Sequence, residues 1–175
     1  MKEVTMDKTK VTKDLEAKTL VIERSFDATK ENLWSYFAEA EKFTAWWGPE
    51  GWTTTVKQFN FESGGRVHYG MKCVDEAQGE WFGQESWGVM EIESVDAPNS
   101  FTYKDYFSDA DGALNRDMPT LTVTNEFIEE DGRAKLISRS VADSAEQIEE
   151  LLKMGMVEGF SSQLTKLDSI FAGEQ

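Results

Sequence analysis

Cysteine, histidine and proline are nearly missing from this chain. One cysteine, Cys73, one histidine, His68, and three prolines occur among 175 residues. A lone cysteine excludes an internal disulfide and fits a reducing compartment, so a cytoplasmic location is expected. A lone histidine excludes a histidine-rich metal site. No G-x-S-x-G or C-x-x-C motif is present either. Long apolar runs are absent: the N-terminus does not read as a signal peptide, and no later stretch approaches a membrane span. Positive charge is scarce, with 18 Lys and Arg against 33 Asp and Glu and a net charge of −15. That balance argues against nucleic acid, whose phosphates need Lys and Arg, and against anionic membrane surfaces. Asp109-Ala110-Asp111-Gly112 hints at calcium but fails as an EF-hand, because the glycine comes too early and no glutamate closes a twelve-residue loop. No metal and no cofactor are therefore expected.

What the chain has is aromatic side chains, six Trp and eleven Phe among them. They serve core volume, or the walls of a concave apolar site. The length suits one domain with a core that needs no disulfide or metal. Residues 1–17 alternate charge with small polar residues and read as a loose N-terminal arm, removable with little loss of stability. Residues 18–172 form the domain.

Within it, residues 19–26 read as a strand, followed by short helices over 29–37 and 39–43 that end before Trp46-Trp47-Gly48-Pro49. Residues 53–61, 66–74, 81–95, 101–107, 120–128 and 135–141 then read as strands. Ser63-Gly64-Gly65 and Asp131-Gly132 are hairpin turns, and 108–119 is a polar loop. Residues 144–171 read as one long helix. Ser144 and Gln147 have capping-box spacing, and Gly173 stands where a C-terminal glycine belongs. Its apolar residues recur at three and four and need a sheet to cover them. Gly155 and Gly159 lie inside it, for close helix-to-sheet approach or to leave room for a ligand. This order predicts an α+β fold: an antiparallel sheet of six or seven strands around a long C-terminal helix, with two short helices after the first strand.

Four segments carry a family resemblance. They are Arg24-Ser25-Phe26-Asp27-Ala28 with Leu33-Trp34, the tryptophan-rich stretch from Phe43 to Pro49, the double-glycine stretch Phe61-Glu62-Ser63-Gly64-Gly65-Arg66, and the glycine, glycine-aromatic and leucine pattern between Gly155 and Leu167. In that order they resemble the START-like (SRPBCC) superfamily. More closely they resemble the family of the C-terminal domain of the activator of the heat-shock-protein-90 ATPase, with Phe160 where that family commonly has Trp. The resemblance implies a helix-grip fold and a cavity between the sheet and the final helix, which in most members holds apolar molecules and in a minority does chemistry. It also implies a possible chaperone partner.

The expected function is a cytosolic small-molecule binding protein, monomeric or homodimeric, that holds an apolar or lipid-like ligand. The expected lining is Met156, Phe160 and Leu164 from the helix and Trp87 and Tyr103 from the sheet, with Trp46 and Trp52 near the mouth. His68 and Glu85 are candidate polar groups inside it. Each has a plainer reading, His68 as a strand histidine bonded or solvated and Glu85 as part of a wet face. No catalytic set is assigned. If the cavity belongs to a cyclase or hydrolase, His68, Glu85, Arg66 and Tyr103 are the groups to test. A chaperone-associated interaction module is the other alternative.

Overall fold

The computed structural model describes residues 2–6 and 8–174, the side chains of residues 4–6 excepted. Its described strands form a single antiparallel sheet in the order β1-β2-β3-β9-β8-β7-β6-β5-β4. The strands are β1 (Lys2–Met6), β2 (Thr9–Asp14), β3 (Thr19–Phe26), β4 (Trp52–Phe59), β5 (Arg66–Cys73), β6 (Glu85–Asp96), β7 (Ser100–Ser108), β8 (Leu121–Glu130) and β9 (Arg133–Val141). Helices α1 (Lys30–Ala38) and α2 (Ala40–Trp46) follow β3, and α3 (Ala145–Lys153) and α4 (Met156–Glu174) end the chain. This is the helix-grip arrangement.

The sheet has nine strands rather than six or seven, and the extra two come from the segment expected to be a loose arm. β2 pairs with β3 from Lys10↔Glu23 to Asp14↔Thr19, and β1 pairs with β2. Thr9 and Val11 are buried against the domain. Met1 and Asp7, also assigned to that arm, lie outside the described residues. A polar strand needs little apolar area of its own when an existing sheet edge supplies its hydrogen bonds.

Alternation sets the inner face. On β3, β8 and β9 buried and half-buried residues alternate, which turns Leu20, Ile22, Arg24 and Phe26, Leu121, Val123 and Phe127, and Ala134 and Leu136 toward the helices. α1 begins at Thr29, whose hydroxyl accepts from the Asn32 amide at 3.1 Å. It lays Trp34 and Phe37 onto Phe127, with ring centroids 5.3 and 5.0 Å away. One end of the concave face is thus plugged by aromatic rings, and the other is left to α3 and α4.

The expected single helix over 144–171 is broken. Half of its capping box is present: Ser144 accepts from the Gln147 amide, while the Gln147 side chain accepts from the amide of Asp143, one residue before the cap. At Gly155, however, φ is +83°, the left-handed conformation that ends a helix, and a second helix starts from there. Gly173 does not end that helix, which runs through it to Glu174. Arg24 ties α4 to the sheet. Its buried guanidinium reaches Asp168 at 2.5 Å, the Ser161 carbonyl at 3.4 Å and the Thr165 hydroxyl at 3.4 Å. The strand expected over 81–95 begins only at Glu85, because Glu76–Trp81 is a short 3-10 helix that leaves the Trp81 ring exposed.

Candidate functional site: a cavity under the broken helix

Between the inner face of the sheet and the α3–α4 junction lies a cavity of about 310 Å³. That volume is at the lower end of small-molecule sites. Its floor comes from inner-face positions: Ile22 of β3, Tyr69 and Met71 of β5, Tyr103 and Asp105 of β7, Leu121 and Val123 of β8, and Ser138 and Ser140 of β9. Trp47, just after α2, closes one side, edge-on to Tyr69 at 5.7 Å and to Phe160 at 6.3 Å. The roof is Leu151, Met154, Gly155, Met156, Gly159, Phe160 and Gln163, with the exposed Met154 at the rim. A methyl group built on Gly159 would meet no atom within 4 Å. Gly159 therefore borders empty space and does not mediate close packing. Gly155 serves the bend.

Of the residues expected to line a pocket, Tyr103, Met156 and Phe160 do so. Trp87 borders the cavity, but its ring lies on the far face of the sheet. It covers Gly70 and sits 5.3 Å from the His68 ring, with the Lys57 ammonium 4.8 Å from its centroid. Leu164 is fully buried in the core instead. Trp46 is fully buried too, its indole N–H donating to the Tyr36 carbonyl at 2.7 Å. Of the tryptophan pair it is Trp47 that reaches the cavity. Trp52 is on the opposite flank of α4, where its indole donates to Gln78 at 3.1 Å.

His68 and Glu85 do not enter the cavity. On β5 Tyr69 and Met71 face inward, so Arg66 and His68 face outward, where the loop after β7 covers them. His68 Nε2 is 3.1 Å from the Asp109 carbonyl, and Arg66 donates to the Gly112 carbonyl at 2.5 Å. The Asp109 carboxylate is engaged in that loop by the Ala113 amide and, less strongly, the Asp111 amide, which hold its pKa low. Glu85 is exposed and accepts from the Trp87 indole at 3.2 Å. The sheet thus separates His68, Arg66 and Glu85 from Tyr103, and the four do not assemble into one polar site.

The polar groups that do enter were missed. Asp105 lines the cavity, and the Tyr69 hydroxyl donates to it at 3.3 Å. Burial pushes its carboxyl up to about 7, against the smaller opposing effect of that hydrogen bond. Burial, with the Asp105 charge adding to it, also raises the Tyr69 and Tyr103 hydroxyls well above their usual value. Gln163 is buried, and its Oε1 has no hydrogen-bond partner. The signal for Asp105 was there to be read: it shares parity with Phe101 and Tyr103 on one strand, a carboxylate in an apolar series.

The family model for the Activator of Hsp90 ATPase homolog 1-like protein matches residues 27–172. The chain belongs to this family. Among solved structures, a protein from Mycobacterium smegmatis is 34% identical over 91% of this chain and 94% of its own, with a TM-score of 0.81. A protein from Arthrobacter aurescens is 26% identical over 93% and 91%, with a TM-score of 0.83. One from Staphylococcus epidermidis, 24% identical over 94% of each chain with a TM-score of 0.78, shares the fold. No curated protein sequence matches the chain. No helix among the described residues is long and apolar enough to cross a membrane.

Proposed function

We propose that this activator-homologue-like protein is a cytosolic carrier or sensor that binds one apolar small molecule between its sheet and its C-terminal helices. The START-like fold commonly serves hydrophobic ligands, and here the supporting observation is the cavity beside Gly159. It is walled by Trp47, Tyr69, Met71, Leu121, Val123, Met156 and Phe160, and a side chain at position 159 has open space to enter. Burying such surface on a ligand is favourable at about 25 cal/mol per Å². Most of the walls belong to strands and helices, which favours a preformed site; Trp47 just after α2 and Met154 and Gly155 at the α3–α4 junction are among the exceptions.

The test is titration with N-phenyl-1-naphthylamine, a neutral apolar fluorophore, together with mass spectrometry of compounds that co-purify from the cell. Saturable one-to-one binding that Gly159→Leu abolishes supports the reading. A parent protein that neither binds the fluorophore nor retains a compound refutes it.

A further inference from the structure

The cavity's polar equipment is one-sided. Among the described residues that line it there is no Lys, Arg or His, and Asp105 is its one charged group. β5 contributes Tyr69 as a titratable neighbour of that carboxyl and β7 contributes Tyr103, whereas Tyr106 borders the cavity but shares the outward register of Val89 and His68. The residues lining the cavity from β3, β6, β8, β9, α3 and α4 carry no titratable side chain. A ligand carboxylate or phosphate placed here would find no cation and would face the Asp105 charge in a poorly solvated space, which is unfavourable. A fatty acid or anionic lipid is therefore a poor match.

We infer that the cavity selects an apolar molecule bearing a protonated amine, with the ammonium seated on Asp105 and the apolar body under Phe160 and Met156. This rests on the proposed binding function and narrows its ligand class. Three observations converge on it. Asp105 holds a carboxylate with one hydrogen bond, from Tyr69, and so has lone pairs left for a donor. The rings of Trp47, Tyr69, Tyr103 and Phe160 border the same space, and an aromatic face turned to a cation attracts it. Gln163 offers a buried amide whose Oε1 has no partner, a second acceptor in the roof. The net charge of −15 further concentrates cations around the protein. Desolvation raises the proton affinity of Asp105, although the residue is half-buried and keeps some contact with solvent. A bound ammonium lowers it again, and proton and amine then compete for one group.

The experiment uses three soluble probes of one shape, 2-(1-naphthyl)ethylamine, 2-(1-naphthyl)ethanol and 1-naphthylacetate, titrated calorimetrically into the full chain and into Asp105→Asn. At pH 8 the amine should bind about tenfold or more tighter than the alcohol, as expected of a charge-assisted hydrogen bond, and the acetate weakest. In Asp105→Asn the amine and alcohol should bind alike, and alcohol binding certifies that the variant's cavity is intact. In the parent the amine's advantage should shrink as the pH is lowered below about 7 and Asp105 takes up its proton. Equal binding of amine and alcohol by the parent, a preference for the acetate, or an amine preference that survives in Asp105→Asn each overturns the inference while leaving a binding cavity in place. Failure of all three probes removes the cavity reading, and this inference with it.

Discussion

Gly159 is the position at which the cavity can be tested by a sign rather than a size. It lies in the first turn of α4, and a Cβ there would meet nothing within 4 Å. Replacing glycine by alanine or leucine in a helix is worth about 1 kcal/mol in propensity. Gly159→Ala should therefore stabilise by roughly that amount, which for a domain of this size raises Tm by about 2–4 °C. Gly159→Leu gains the same propensity and places apolar surface among Phe160, Met156 and Trp47. A half-buried leucine adds about 1 kcal/mol more. The expected sum is a gain of about 1–2 kcal/mol together with loss of fluorophore binding. Had the glycine been required for close packing, the same leucine would overpack the interior and cost about 1–3 kcal/mol. The two outcomes have opposite sign, and urea midpoints at constant slope separate them. Gly155→Ala is the internal control: at φ +83° a side chain is strained, and a loss of about 1–2 kcal/mol is expected. A destabilised Gly159→Leu, or a Gly159→Ala that melts below the parent, would refute the reasoning.

Three further outcomes follow from the same contacts. Asp105 holds its proton in the folded state up to a pH of about 7 and in the unfolded chain only up to its ordinary value of 3.8, so its contribution to stability falls as pH rises between those values. Asp105→Asn removes that loss and should exceed the parent's stability at pH 8 by about 1–3 kcal/mol, with a smaller gap at pH 5; urea midpoints showing equal gaps at both pH values would contradict this. Asp168→Ala takes the paired carboxylate from the buried Arg24 guanidinium and should cost about 1.5–3 kcal/mol, read from chemical denaturation. Deleting residues 1–14 should cost about 2 kcal/mol or more, because it uncovers the β3 edge and removes Thr9 and Val11 from their buried positions; an unchanged Tm would show that the first two strands contribute nothing.

Much of the architecture lies in the sequence because it is a matter of period. Two-residue alternation in β3, β8 and β9, the Asp131-Gly132 turn and the Ser144 N-cap are local, and each is decided within about ten residues of chain. The four family segments are local as well, and their order gives the helix-grip fold. What the sequence leaves undecided depends on what lies across a gap. β1 and β2 are too polar to announce themselves, and the edge of β3 makes them strands. Gly155 and Gly159 are the same residue four apart. One takes a left-handed turn between α3 and α4, and the other borders a void. The direction of β5 and β6 was ambiguous for a similar reason. The loop after β7 covers the outer face, so His68 and Val89 are as buried as Tyr69 and Met90, and alternation loses its contrast. Once both faces are covered, only the position of the helices says which is the inside. That choice puts Trp87 and Glu85 out of the cavity and Asp105 into it. The carboxylate's position along β7 was written in the chain, but its proton affinity belongs to the tertiary structure, since strands and helices far apart in sequence must close around it before water is removed.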